Sequence, residues 1–168
     1  MRKIERDKTN LKKSHREFLE LEKLHDRACN ILAALVSGKG RLVKYGLERR
    51  HSWKYYYYDE KPDYILELKD GRRLLVEVKA KRTREGHVDL ILHTYVNIRH
   101  VRNYLKHSRE KGLPCYLFIA FFDEEGYCVG YRWFNVNSIK WGKLKTKRMW
   151  DGNLAYVLPL SLACNPPL

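Results

Sequence analysis

PDYILELKDGRRLLVEVK, residues 62–79, reads as two strands joined by a tight turn. Lys61-Pro62 opens the first strand, where a proline is tolerated because the first residue need not donate to the ladder. Tyr64–Leu68 continues it with residues that suit a pleated, half-buried surface. Lys69-Asp70-Gly71-Arg72 is the hairpin turn, with Asp-Gly expected to supply the positive φ angles of a two-residue loop. Leu74–Ala80 is the return strand. Side chains alternate along a strand, so Glu77 and Lys79 share one face while Val76, Val78 and Ala80 point to the other, into the core. In an antiparallel pair turning at Asp70-Gly71, partner positions sum to about 141, which sets Asp63 opposite residue 78, beside Glu77 and Lys79. Two acids and one lysine are thus expected on one small patch.

Outward from this hairpin, the N-terminal side carries a helix. Residues 1–13 read as a charged, frayed lead-in. From Ser14 the chain turns helical, with Leu21, Leu24, Ala28, Ile31 and Leu35 on one face. Ser37-Gly38 and Gly40 end it. Arg41–Glu48 and Trp53–Tyr58 read as strands. On the C-terminal side the spacing of Val88, Ile91, Leu92, Tyr95, Ile98, Val101, Tyr104 and Leu105 predicts a second helix over His87–Lys111, stopped by Gly112 and Pro114. Cys115–Phe122 is a continuous apolar run suited to a central strand buried on both faces. Asp123-Glu124-Glu125-Gly126 turns the chain into Tyr127–Phe134, and one more strand is expected near Leu154–Leu158. The order predicts one α/β domain over residues 1–168, a central mixed β-sheet flanked by helices.

The chain has 168 residues and a formal net charge of +14. Such a charge attracts polyanions, of which nucleic acid is the commonest. The 44% hydrophobic and 12% aromatic content argues against disorder. The longest apolar stretch, Tyr116–Phe122, is too short to cross a bilayer, and the N-terminus shows no apolar core of a secretory signal. The expectation is therefore a cytoplasmic or other intracellular protein without membrane association. Cys29, Cys115, Cys128 and Cys164 form no CxxC pair, so neither a zinc ribbon nor a disulfide framework is read, only free thiols. Tyr55–Tyr58 fits an aromatic strand better than a platform for stacked bases.

Two carboxylates beside a lysine suit Mg²⁺, which takes one or two carboxylates together with water and substrate phosphate. The pattern Pro62-Asp63 … Glu77-Val78-Lys79, with Leu74-Leu75-Val76 before the glutamate, resembles the PD-(D/E)xK nuclease superfamily, whose order of elements also fits residues 14–122. The resemblance implies a restriction-endonuclease-like core and a Mg²⁺-dependent endodeoxyribonuclease, with Mn²⁺ able to substitute. It implies Asp63, Glu77 and the Val78 carbonyl as metal ligands and Lys79 as the catalytic lysine. Many members add a first-helix glutamate. Glu17 lies at the centre of the apolar stripe, where a carboxylate should face something polar, and Glu20 is the runner-up. A rival placement, His25 as a ligand, follows the viral cap-snatching endonucleases of the same fold. Lys81, Arg82 and Arg84, with Arg72 and Arg73, are the expected grips for backbone phosphates. His93 or Tyr95 would be polar helpers near the start of the second helix. The layout after that helix is similar to archaeal-type Holliday junction resolvases, which implies a DNA-bound homodimer and a structure-specific substrate. The competing expectations are a nuclease-fold module that binds DNA without cutting it, and an RNA-cleaving enzyme of the same fold.

Overall fold

The computed structural model describes the backbone of residues 2–46 and 61–168, and the side chains among them from Leu19 onward. The expected strand Trp53–Tyr58 and its tyrosine run lie outside the described residues, and so does the Glu17 side chain. Among the described residues two helices and eight strands form a mixed α/β structure, as the residue patterns imply.

Helix α1 spans Arg2–Val36 and so begins well before Ser14. Its first residues are mostly lysine, arginine and glutamate, which lose little rotamer freedom in a helix. Its core face is Leu24, Ala28, Leu32 and Val36, all nearly or fully buried, whereas Leu21 is exposed. The stripe therefore advances in steps of four: it leaves out Leu21 at one end, and at the other Leu32 and Val36 take the core places expected of Ile31 and Leu35, which are half-buried beside them. Strand β1 is Gly40–Lys44 and stops before Tyr45; Leu47 and Glu48 of the expected strand Arg41–Glu48 lie outside the described residues.

Strands β2 (Tyr64–Leu68) and β3 (Arg73–Arg82) form the hairpin. The turn is a three-residue loop, not the expected two-residue one. The Leu68 N–H donates to the Arg72 carbonyl at 2.9 Å and the Gly71 N–H to the Leu68 carbonyl at 3.0 Å. Asp70 keeps a negative φ and Gly71 alone is left-handed, at +91°. This matches a turn followed by a left-handed glycine that absorbs one extra residue. The register moves by one as a result: Tyr64 pairs with Val76 and Ile65 with Leu75. Asp63 then lies across from Glu77 itself.

The second correction concerns His87–Lys111. Only Ile98–Lys111 is helix, α2, capped by the Asn97 side chain, which accepts from the Arg99 N–H. Before it come a short 3-10 turn, Val88–Leu90, and strand β4, His93–Asn97. Thr94 and Val96 are buried while His93 is exposed, a two-residue period that overlaps the apolar spacing read as helical. His93 and Tyr95 therefore sit on a strand.

Strands β5 (Cys115–Phe122) and β6 (Cys128–Asn135) follow, then β7 (Thr146–Arg148) and β8 (Leu154–Pro159). The main sheet runs β1-β2-β3-β5-β6, with β3 and β5 parallel and the other neighbours antiparallel. A smaller antiparallel sheet runs β4-β8-β7. One core lies under α1 and joins its stripe to Leu66, Val76, Val78, Phe118, Phe122 and Trp133. The other lies on the opposite face and joins Leu75, Leu117, Ile119 and Phe121 to Val101 and Tyr104 of α2 and to Val96 and Leu158 of the small sheet. The central strands are thus buried on both sides, which their near-continuous apolar sequence requires. All four cysteines are free thiols, and burial pushes the Cys115 thiol well up. Among the described residues no helix is long and apolar enough to cross a membrane.

Candidate active site

The hairpin register joins Asp63 to Glu77. The Asp63 N–H donates to Glu77 Oε2 at 3.2 Å, and Asp63 Oδ2 accepts the Val78 N–H at 2.9 Å. β2 has not yet begun at Asp63, so its carboxylate occupies the place in the ladder that a backbone carbonyl would otherwise fill. Both acids are buried, Asp63 to 1% exposure and Glu77 to 3%. Lys79 Nζ lies 3.3 Å from Glu77 Oε1, on the shared face that strand alternation dictates. Two adjacent buried carboxylates repel and need cations and donors close by; Lys79 is one such partner.

The helices supply others. From α1, His25 Nε2 sits 3.4 Å from Asp63 Oδ2, with Cys29 Sγ 3.7 Å behind its Nδ1. From α2, the Tyr104 hydroxyl donates to Glu77 Oε1 at 3.1 Å, and His100 Nδ1 lies 3.3 Å from Lys79 Nζ. Lys81, next on the same face of β3, donates to the Tyr95 carbonyl at 2.7 Å. Burial of its ammonium, with the Lys79 charge second, lowers its pKa to about 8.

The sequence placed Asp63, Glu77 and Lys79 together, and the fold does so too. It assigned the first-helix role to Glu17 or Glu20. Glu20 is half-exposed and pairs with Arg82 at 3.7 Å, away from the carboxylate pair. Among the described side chains of α1, the one that reaches Asp63 is the rival placement, His25; Glu17 lies eight residues earlier, about 12 Å of helix, and its side chain is outside the described residues. Tyr104 was counted only as part of a helix face, and His100 was given no role. The available signal was their spacing of four, which puts both on one side of α2.

The basic residues separate into two groups. Lys81 flanks the carboxylates; Arg82, one residue on, points to the opposite face, where it pairs with Glu20, and the exposed Arg84 pairs with Glu124 at 3.4 Å. Arg72 and Arg73 sit at the turn end of the hairpin, roughly 13 Å or more along β3 from Glu77. Arg72 is bound to Asp70 at 2.8 Å and Arg73 faces Glu67 at 3.8 Å. The fold does not bring these two to the site. His93 and Tyr95 touch each other, Nε2 to Oη 3.1 Å, on β4.

No cluster of three or more His, Cys, Asp or Glu side chains arranged for a metal occurs among the described residues. Structural zinc sites are built from four such ligands. A hard cation such as Mg²⁺ differs, because one or two carboxylates are its usual protein ligands. Asp63 and Glu77 supply oxygen donors of that kind, with the Glu77 carboxylate tied to the Asp63 backbone N–H.

No family model matches the chain, and no curated protein matches it. Among solved structures it is similar to the 1.6 Å structure of Hjc, a Holliday junction resolvase from the archaeal hyperthermophile Archaeoglobus fulgidus. The identity is 16%, covering 79% of this chain and 83% of that one, with a TM-score of 0.43.

Proposed function

We propose that the chain is a Mg²⁺-dependent endodeoxyribonuclease with a restriction-endonuclease-like core, cutting phosphodiester bonds at the site built by Asp63, Glu77 and Lys79. The observation that supports this most is the pairing of Asp63 with Glu77 across the hairpin, with the Lys79 ammonium 3.3 Å from the glutamate, in a chain of net charge +14. Asp63, Glu77 and the Val78 carbonyl would hold Mg²⁺, or Mn²⁺ in its place. When bound, such a cation polarises a phosphoryl oxygen and lowers the pKa of its water. Lys79, oriented between Glu77 and His100, offsets negative charge that develops on the phosphate. Lys81, Arg82 and Arg84 grip neighbouring phosphates.

The proposal extends to structure-specific cutting. Choosing a branch over a plain duplex needs recognition of shape and phosphates, which a basic face can provide without reading base edges. It also includes a homodimer, so that two sites meet two strands; light scattering should give twice the mass of one chain. The reading is tested by incubating the protein with Mg²⁺ and single-stranded, duplex, flap and four-way-junction DNA. Nicking that EDTA abolishes and that Asp63→Ala and Glu77→Ala each remove is the expected result. Cleavage retained in both variants would end the site assignment.

One observation favours a DNA-binding module that does not cut: both carboxylates are buried and engaged by protein donors. That reading predicts salt-sensitive DNA affinity with no product under any metal, so the same panel separates the two.

A further inference from the structure

Residues 140–150 carry Lys140, Lys143, Lys145, Lys147 and Arg148 and no acid. They end at Trp150, which is 95% exposed, in the turn between β7 and β8. A fully exposed tryptophan forgoes a large burial gain. The turn that presents it is tightly built. The Met149 N–H donates to the Asn153 carbonyl at 2.8 Å, Arg148 Nη1 to the Gly152 carbonyl at 2.9 Å, and Asp151 accepts from the Asn153 N–H at 3.0 Å. The indole is therefore held out on a fixed support.

The hairpin is continuous with the candidate active site. Lys147 Nζ lies 5.0 Å over the Tyr95 ring. The Tyr95 carbonyl accepts Lys81 Nζ, and Lys81 follows Lys79 on the same face of β3. A basic and aromatic surface thus leads from the carboxylates across β4 to Trp150.

We propose that the β7–β8 hairpin is a nucleic-acid contact in which Trp150 stacks on an unpaired base while Lys145, Lys147 and Arg148 meet the phosphates beside it. Every base offers a π-face, so an exposed indole among cations binds single-stranded stretches without sequence preference. The choice of partner rests on the nuclease reading for its class, DNA, but not on catalysis. An anionic membrane is the competing occupant of a basic, tryptophan-tipped hairpin. Docking there takes an apolar face opposite the charges, whereas every residue of Thr146–Arg148 is exposed and polar.

The test is fluorescence anisotropy with a labelled flap DNA and a fully paired duplex, in EDTA so that nothing is cut. Trp150→Ala should weaken flap binding by roughly ten-fold or more and leave duplex binding unchanged, and Trp150→Phe should retain most of the affinity. Lys145→Ala with Arg148→Ala should weaken both and flatten the salt dependence by about two phosphate contacts. Both positions are exposed, and an unchanged melting temperature verifies folding. Equal flap affinity in Trp150→Ala and wild type overturns the hairpin proposal alone. Absence of any DNA binding by wild type overturns it together with the nuclease reading. Binding to phosphatidylserine vesicles that needs Trp150, with DNA affinity indifferent to it, assigns the hairpin to membranes and also overturns it.

Discussion

At the scale of single residues, the buried carboxylates depend on donors brought from elsewhere in the chain. Tyr104 is fully buried and donates to Glu77. Tyr104→Phe keeps the ring and removes the hydroxyl, leaving a buried charged acceptor one partner short. The expected cost is about 1–3 kcal/mol, read as a lower urea midpoint; an unchanged midpoint would mean that the bond contributes nothing. Lys81 makes a pH prediction. Its folded pKa of about 8 lies below the ordinary 10.5 because burial disfavours the charged form. Below pH 8 folded and unfolded chains both carry the proton, and the fold bears the whole cost. Between 8 and 10.5 the unfolded chain still holds a proton that the folded chain has released. Stability should therefore rise with pH through that window, by up to about 3 kcal/mol. In Lys81→Met this component disappears, so wild type minus variant should rise between pH 8 and 10.5 in urea titrations; a flat difference contradicts the shift. Asp63, Glu77 and Lys79 were legible because strand alternation and one turn fix them relative to each other. His100 and Tyr104 were not, and His25 was named only as a rival to Glu17, because their contacts depend on which helical turn docks over which strand.

At the scale of elements, turns set the register. Gly71 has φ +91° and open space where a Cβ would stand. Gly71→Ala therefore meets only the conformational penalty of the left-handed region, about 1–2 kcal/mol. Gly130 differs, since a Cβ there would fall 2.4 Å from Val88 Cγ1 with φ also positive, at +152°. Gly130→Ala adds overpacking to backbone strain and should cost clearly more, by roughly 1–3 kcal/mol. Equal urea midpoints for the two variants would contradict this account of β6. The same local logic explains what could be read beforehand. β2, β3 and β5 are marked by turn residues and by β-branched or continuous apolar runs. The start of α2 was hidden, because Val88, Ile91, Leu92, Tyr95 and Ile98 satisfy a helical period while Thr94 and Val96 satisfy a strand period. Asn97, which caps α2 through its side chain, was the available signal. The one-residue register error came from reading Asp70-Gly71 as the whole loop when Lys69 belongs to it.

At the scale of the molecule, the +14 charge was visible from composition, but its distribution needed the fold. Acidic residues gather at the β5–β6 turn, Asp123-Glu124-Glu125, where Glu124 binds Arg84. At the turn of the β2–β3 hairpin Arg72 pairs with Asp70, and Arg73 shares Glu67 with Arg41. Lys81 on β3, with Lys145, Lys147 and Arg148 on and beside β7, forms the face on the side of the carboxylates, whereas Arg82 points to the other side and pairs with Glu20 of α1. The small sheet joins these two groups, and nothing in the hydrophobic pattern of residues 136–168 announced more than one of its strands. If four such cations meet four phosphates, binding should fall with salt along a log–log slope of about −3 to −4. The measurement is duplex affinity in EDTA across a salt series. Arg72→Ala with Arg73→Ala should leave the slope unchanged, because these guanidiniums already face acids and lie at the other end of the hairpin. Lys81→Ala with Lys147→Ala should make it shallower by about two units. A slope near zero for wild type would mean that the charge is not the source of affinity. The reverse ranking of the two double variants would put the nucleic acid on the opposite end of the sheet, away from Asp63 and Glu77.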